Sequence, residues 1–286
     1  MMTEEKKQTR RSALRRLLYM FYGLVIVLSV LVGLFLGGAY FYFIKDLPEI
    51  TSLKEYRPPI ITTVYSDDNR KIAEFFKEKR IVIPLSKMPK MLIDAFVAAE
   101  DARFYEHEGI DLFGVFRALL KNIEAGTIIQ GGSTITQQVA KSFFLSPERS
   151  YGRKIREAFL AYRIDGAFTK EEILFLYLNQ IYLGHGAYGV EAAAENYFGK
   201  KAQEMNLAEC ALLAGLPQAP SRYSPFIHPE QARQRQVYAL NRMVEEGYIT
   251  NLQATEAVTH KLDIKPRRNW YIEEAPYYTE HIRRYV

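Results

Sequence analysis

Residues 89–109 read PKMLIDAFVAAEDARFYEHEG, and their pattern sets the fold class of the chain. Leu92, Ile93, Phe96 and Val97 recur at helical spacing, forming one apolar stripe that leads into Glu100. The spacing predicts a helix that ends at Glu100. Positions three and four residues apart stack on one side of a helix, so Glu100, Phe104 and His107 share a surface if the turn continues. An acid, an aromatic ring and an imidazole in one place suit catalysis. The same residues also suit an acidic helix end with Phe104 in the core and His107 as a hydrogen-bonded surface group. Further stretches decide between the two.

Downstream of residue 89 helical periods dominate, so the fold class is mainly α. Upstream the pattern is β. Ile60, Ile61, Val64 and Tyr65 precede the turn-like Asp67-Asp68-Asn69, then come Ile72 and Phe75, and later Ile81-Val82-Ile83-Pro84. A short hairpin is expected there. Earlier still, residues 17–44 run for 28 positions without a charge. As a helix that stretch is about 40 Å long, against a bilayer core of about 30 Å, which fits one tilted transmembrane span. A cleaved leader would carry a shorter apolar run and a small-residue cleavage site, whereas Tyr40, Phe41, Tyr42 and Phe43 read as an interfacial belt. Arg10, Arg11, Arg15 and Arg16 keep the N-terminus cytoplasmic by the positive-inside rule, with everything after Lys45 outside. The expected order is a basic tail over residues 1–16, a signal-anchor helix over 17–44, an extracytoplasmic β linker over 45–85, a helical body over 86–250 and the start of a further linker over 251–286.

The 286 residues are 48% hydrophobic and 25% charged, ordinary for a folded protein with a sizeable core. Of the net charge of +5, the first 16 residues supply four with two Lys, four Arg and two Glu. The remainder is nearly neutral, so the basicity is a topology signal and no nucleic-acid partner is expected. Cys210 is the single cysteine, which excludes an intramolecular disulfide and an ordinary Cys/His zinc site. Among Leu207, Ala208, Ala211, Leu212 and Leu213 it reads as a small buried residue.

Residues 110–130, IDLFGVFRALLKNIEAGTIIQ, fit either a core-facing helix or a membrane-dipping surface. Residues 130–141, QGGSTITQQVAK, begin another helix. Gly131 and Gly132 allow close backbone approach, Ser133 or Thr134 can cap, and Thr134 with Gln137 matches a capping box. Capping leaves the dense donors Gln137, Gln138 and Lys141 unexplained; at a helix N-terminus they suit a phosphate or sugar. In residues 149–159, RSYGRKIREAF, Arg153 and Glu157 fit a solvated i,i+4 pair. Yet Arg149, Arg153, Lys154 and Arg156 around one carboxylate suit a polyanion such as pyrophosphate, with Glu157 orienting a base or holding a divalent cation. Residues 169–182, TKEEILFLYLNQIY, form a capped scaffold helix with Asn179 as a polar candidate to face the site. Residues 185–200, HGAYGVEAAAENYFGK, read as structural packing.

Together EDARFYEHEG, GGSTITQQVAK, RKIREA and KEEILFLYLNQIYLGHGAYGVEAAAENYFGK resemble, in order, spacing and wording, the family 51 peptidoglycan glycosyltransferases. This is the domain of class A penicillin-binding proteins and of monofunctional transglycosylases. The resemblance covers roughly residues 50–250. EEAPYYTEHIRRYV near the end looks like the connection toward a transpeptidase domain, which is expected to be missing because no Ser-x-x-Lys or Lys-Thr-Gly occurs. The resemblance implies a lysozyme-like glycosyltransferase domain that joins a growing lipid-linked glycan to lipid II and releases undecaprenyl pyrophosphate. It implies Glu100 as general base and Glu157 as the second catalytic glutamate, acting directly or through a metal, with Mg²⁺ or another divalent cation as the expected cofactor. Gly132, Ser133, Thr134, Gln137, Gln138, Lys141, Arg153 and Lys154 then fall on the donor site, while Asp101, Phe104, His107, Arg117 and Asn179 line or brace the cleft. Membrane lipid and other cell-wall synthesis proteins are the implied partners, in the cell membrane.

The chemistry asks for such a set independently. Replacing an α-linked pyrophosphate by a β1,4 bond inverts the anomeric centre, so a carboxylate must take the acceptor proton as the hydroxyl attacks from the opposite face. The leaving group already carries charge and needs cations rather than an acid. Two rivals stand beside this: a lytic enzyme using Glu100 as acid, and an inactive membrane-anchored scaffold. The cationic cluster speaks against the first and the intact Glu100 and Glu157 against the second.

Overall fold

The computed structural model of the chain describes residues 4–45, 47–53, 62–69, 71–75, 78–126, 131–146, 148, 150–265 and 276–284. It divides into two units, residues 1–48 with 150–156, and residues 49–149 with 157–286.

The first unit is built on α1 (Glu4–Ile44). Residues Arg16–Phe43 form a span of 28 residues with mean hydropathy 2.5, long and apolar enough to cross a membrane. The helix begins at Glu4 rather than after the basic tail, because Leu, Ala, Lys and Arg are good helix formers and no proline intervenes. The tail is therefore the first part of one continuous helix. Lys45 lies over the Phe41 ring at 4.5 Å, placing a cation at the apolar helix's end.

The second unit opens with a hairpin of β1 (Thr62–Tyr65) and antiparallel β2 (Lys71–Phe75). Asn69 sits in the left-handed region at φ 61°, which Asn tolerates, and its N–H donates to the Ser66 carbonyl at 3.0 Å. The expected hairpin and its turn are present; Ile60 and Ile61 lie outside the described residues. Residues 81–84 are not a strand. Instead β3 (Lys79–Arg80) makes two parallel pairings with β4 (Ala187–Tyr188).

The helical body follows as α2 (Lys90–Glu100), α3 (Leu112–Ala125), α4 (Ile135–Phe144), α5 (Tyr151–Ala167), α6 (Lys170–Gln180), α7 (Val190–Phe198), α8 (Leu207–Gly215), α9 (Pro229–Glu245), α10 (Asn251–Thr259) and α11 (Pro276–Arg283). Helices α2, α8 and α9 pack on one another, as do α4 and α6. Leu92 and Phe96 of α2, Leu212 and Leu213 of α8, and Leu240 and Met243 of α9 are all essentially fully buried. Such burial stabilises by about 1.5–3 kcal/mol for each large apolar side chain. Cys210 is buried within α8, and burial pushes its thiol up to about 12. The packed body runs past residue 250, since Ala254 and Ala257 of α10 are buried and α10 meets α8 and α9.

Helix α3 departs from its neighbours. Leu112, Phe113, Val115, Phe116, Leu119, Leu120 and Ile123 are exposed, and only Ala118 of its described side chains is fully buried. Of the two readings of this segment, a core-facing helix is excluded.

Candidate active site

Four pieces of chain meet around Glu100. It is the last residue of α2, and the chain leaves the helix at Asp101, whose backbone at φ −157° and ψ 73° is no longer helical. The Asp101 carboxylate, buried, accepts from His107 Nε2 at 3.0 and 3.1 Å and from the backbone N–H of Ile135, the first residue of α4, at 2.9 Å. One carboxylate thus buckles the 101–109 loop to the α4 N-terminus. Thr134 closes the join from the other side, its hydroxyl donating to the Gly109 carbonyl at 2.6 Å while accepting from the Gln137 N–H at 3.1 Å. Gly109 has φ +82°, and a Cβ there would lie 2.5 Å from the Ala161 carbonyl oxygen of α5, so only glycine fits.

That join sets Gln138 beside the catalytic candidate. Its Nε2 donates to Glu100 Oε2 at 2.8 Å. Burial pushes the Glu100 carboxyl above the ordinary carboxylate range; the Gln138 hydrogen bond and the charges of Arg235 and Lys141 oppose that rise. A carboxylate so balanced has raised basicity yet is steadied by cations when ionised. Beside it opens a small cleft, lined by Glu100, Asp101, Asp111, Arg117, Arg242 and residues 131–134. Carboxylates, guanidinium groups and the chain leading into α4 therefore share one cleft, with Glu100 placed to take a proton.

The sequence candidates divide accordingly. Glu100, Asp101, Arg117, Gly132, Ser133 and Thr134 line the cleft, and Gln138 and Lys141 act on Glu100. Phe104 does not reach it. The ring is fully buried, edge-on to Tyr105 and His107, with Lys170 Nζ 4.7 Å from its centroid. His107 braces through Asp101, and its backbone carbonyl accepts from Lys170 Nζ at 2.6 Å. Gln137 is spent on the capping box, its Oε1 accepting from Thr134 N–H at 2.9 Å. Asn179 is a staple rather than a substrate ligand: its Oδ1 accepts from Ile83 N–H at 2.9 Å and its Nδ2 donates to the carbonyls of Ile83 and Phe175 at 3.0 and 2.9 Å. Glu157 is buried on α5, with Arg153 and Lys154 one turn earlier on that helix; Arg149 lies outside the described residues.

Two groups went unread in the sequence. Arg242 of α9 lines the cleft, and Arg235 of the same helix acts on Glu100 through its charge. They stand seven residues apart, so helical spacing alone would have put them on one face.

Residues 68–244 match the family model described as Transglycosylase. The chain belongs to the transglycosylase family. The family resemblance carried by the four signatures thus holds. Among the similar relatives of this transglycosylase chain is penicillin-binding protein 1A of Aquifex aeolicus (strain VF5), 47% identical over 262 residues, covering 91% of this chain and 36% of the relative. The penicillin-binding protein 1A of Neisseria flavescens is 50% identical over 216 residues, 76% of this chain and 27% of the relative. That of Escherichia coli (strain K12) is 46% identical over 246 residues, 86% of this chain and 29% of the relative. The transglycosylase chain spans about a third of the length of the curated relatives it matches.

Proposed function

We propose that this chain is a peptidoglycan glycosyltransferase that polymerises lipid II into β1,4-linked glycan, with inversion and release of undecaprenyl pyrophosphate. The observation that carries the reading is Glu100, a carboxyl raised by burial that lines a polar cleft and accepts from Gln138, in a chain of the transglycosylase family. Glu100 takes the proton of the acceptor C4 hydroxyl as its oxygen attacks the donor anomeric carbon. The bond from that carbon to the pyrophosphate oxygen breaks on the opposite face, and the electron pair leaves with the pyrophosphate. Gln138 holds Glu100 in line, while Lys141, whose charge acts on the same carboxyl, offsets the developing negative charge.

Among the described residues no three His, Cys, Asp or Glu side chains cluster to cage an ion. If a divalent cation takes part, Glu157 with the oxygens of the substrate pyrophosphate would hold it, and it would neutralise leaving-group charge. No step above runs through it.

The apolar faces of α1 and α3 support placement of the domain at the outer surface of the cell membrane, with α1 crossing once and α3 resting in the lipid that delivers the substrate. Cell-wall synthesis proteins are the partners this placement favours. Incubation of the detergent-solubilised chain with labelled lipid II, with and without Mg²⁺ and a moenomycin-type inhibitor, tests the reading. Glycan ladders suppressed by the inhibitor are expected; soluble fragments cut from purified sacculi, or lipid II binding without polymer, would overturn it.

A further inference from the structure

Arg242 is 7% exposed, lies on α9, and comes from a part of the chain that none of the four signatures includes. Its Nε donates to the Ala98 carbonyl at 3.2 Å, across 144 residues of sequence. Ala98 is in the last turn of α2, where carbonyls lack helical partners; Asp101 N–H already satisfies the neighbouring Val97 carbonyl. The guanidinium therefore caps the negative end of the helix whose last residue is Glu100. Its other nitrogens are engaged as well, Nη1 with Glu245 and Nη2 with Glu246 Oε1 at 2.7 Å. A planar fork held at three points has one orientation, which a lysine ammonium cannot reproduce.

We propose that Arg242 is a positioning residue for the transfer reaction: it fixes the last turn of α2, and so the Glu100 carboxylate. The proposal rests on Glu100 being the base. Although Arg242 borders the cleft, each of its three nitrogens makes a hydrogen bond within the protein, which fixes the guanidinium's plane; the KM-against-kcat split below reads whether its two remaining N–H donors serve substrate. Glu100 is then gripped twice, by Gln138 at the carboxylate and by Arg242 through backbone two residues earlier. A base misplaced by about 1 Å loses on the order of 10²-fold in rate.

The test is steady-state polymerisation of labelled lipid II by the full chain in detergent, comparing the parent with Arg242→Lys and Arg242→Ala, each checked for a folded circular dichroism spectrum. A fall in kcat of about 10- to 100-fold with KM unchanged is expected for both, and added guanidinium ion should restore part of the lost kcat in Arg242→Ala. Should Arg242→Ala not fold, Arg242→Lys carries the test by the same split. A raised KM with unchanged kcat would make Arg242 a substrate ligand and overturn the proposal, as would unchanged kinetics. An inactive parent overturns the function itself, a result separate from an active parent indifferent to Arg242.

Discussion

Replacing Asp101 by Ala removes the shared acceptor for two donors, His107 Nε2 and Ile135 N–H. Both donor residues are buried, Ile135 completely, and the loop cannot swing out to water. Thr134 still holds the Gly109 carbonyl and Lys170 still holds the His107 carbonyl. An orphaned buried donor costs about 1–3 kcal/mol, so two cost about 2–6 kcal/mol. Asp101→Asn should cost less. Its remaining oxygen can accept from Ile135, and its amide can donate to His107 Nε2 once the ring proton moves to Nδ1, a nitrogen that has no hydrogen-bond partner among the described residues. Asp101→Asn then leaves one buried donor without a partner, His107 Nδ1–H, against two in Asp101→Ala, a cost of about 1–3 kcal/mol. Urea unfolding in detergent, followed by circular dichroism, measures both variants. A loss below about 0.5 kcal/mol in Asp101→Ala, or equal losses in the two, would refute the buckle and this use of unsatisfied-donor costs.

The Glu100 carboxyl is raised in the folded state, so the native protein binds more protons than the unfolded chain between the two pKa values, and stability falls as pH rises through that window. Glu100→Gln should therefore be more stable than the parent at neutral pH and converge with it below the ordinary carboxylate range; paired melts across pH would show this, and a constant difference would not fit. Gly109→Ala forces a side chain into φ +82° and against the Ala161 carbonyl, so urea unfolding should show a loss of at least about 1–3 kcal/mol. Asn179→Ala strips three hydrogen bonds from buried or part-buried groups, and should lower the unfolding midpoint while leaving KM for lipid II unchanged; a raised KM would return Asn179 to the substrate site.

What could be read from the sequence was local. The stripe ending at Glu100, the Thr134 and Thr169 capping boxes and the Asn69 turn each depend on residues a few positions apart, and each is present. The roles that changed depend on distant partners. Asn179 looked available on a scaffold helix because Ile83, 96 residues away, leaves no local trace of its need for an amide. Phe104 was shown on a shared face with Glu100 only if the helix continued. It stops at Glu100, since Asp101 turns away to serve α4, and the ring enters the core. Arg242 was missed for the same reason, its partner carbonyl being set by the packing of α9 on α2.

The measurement that bears most directly on the central claim is polymerisation of labelled lipid II by the parent and by Glu100→Gln under identical conditions. General-base assistance contributes about 10² to 10⁴ in rate. The parent should give glycan ladders, and the folded variant should bind lipid II but give almost none. Ladders of equal intensity from both would contradict Glu100 as the base and remove the chemistry built on it.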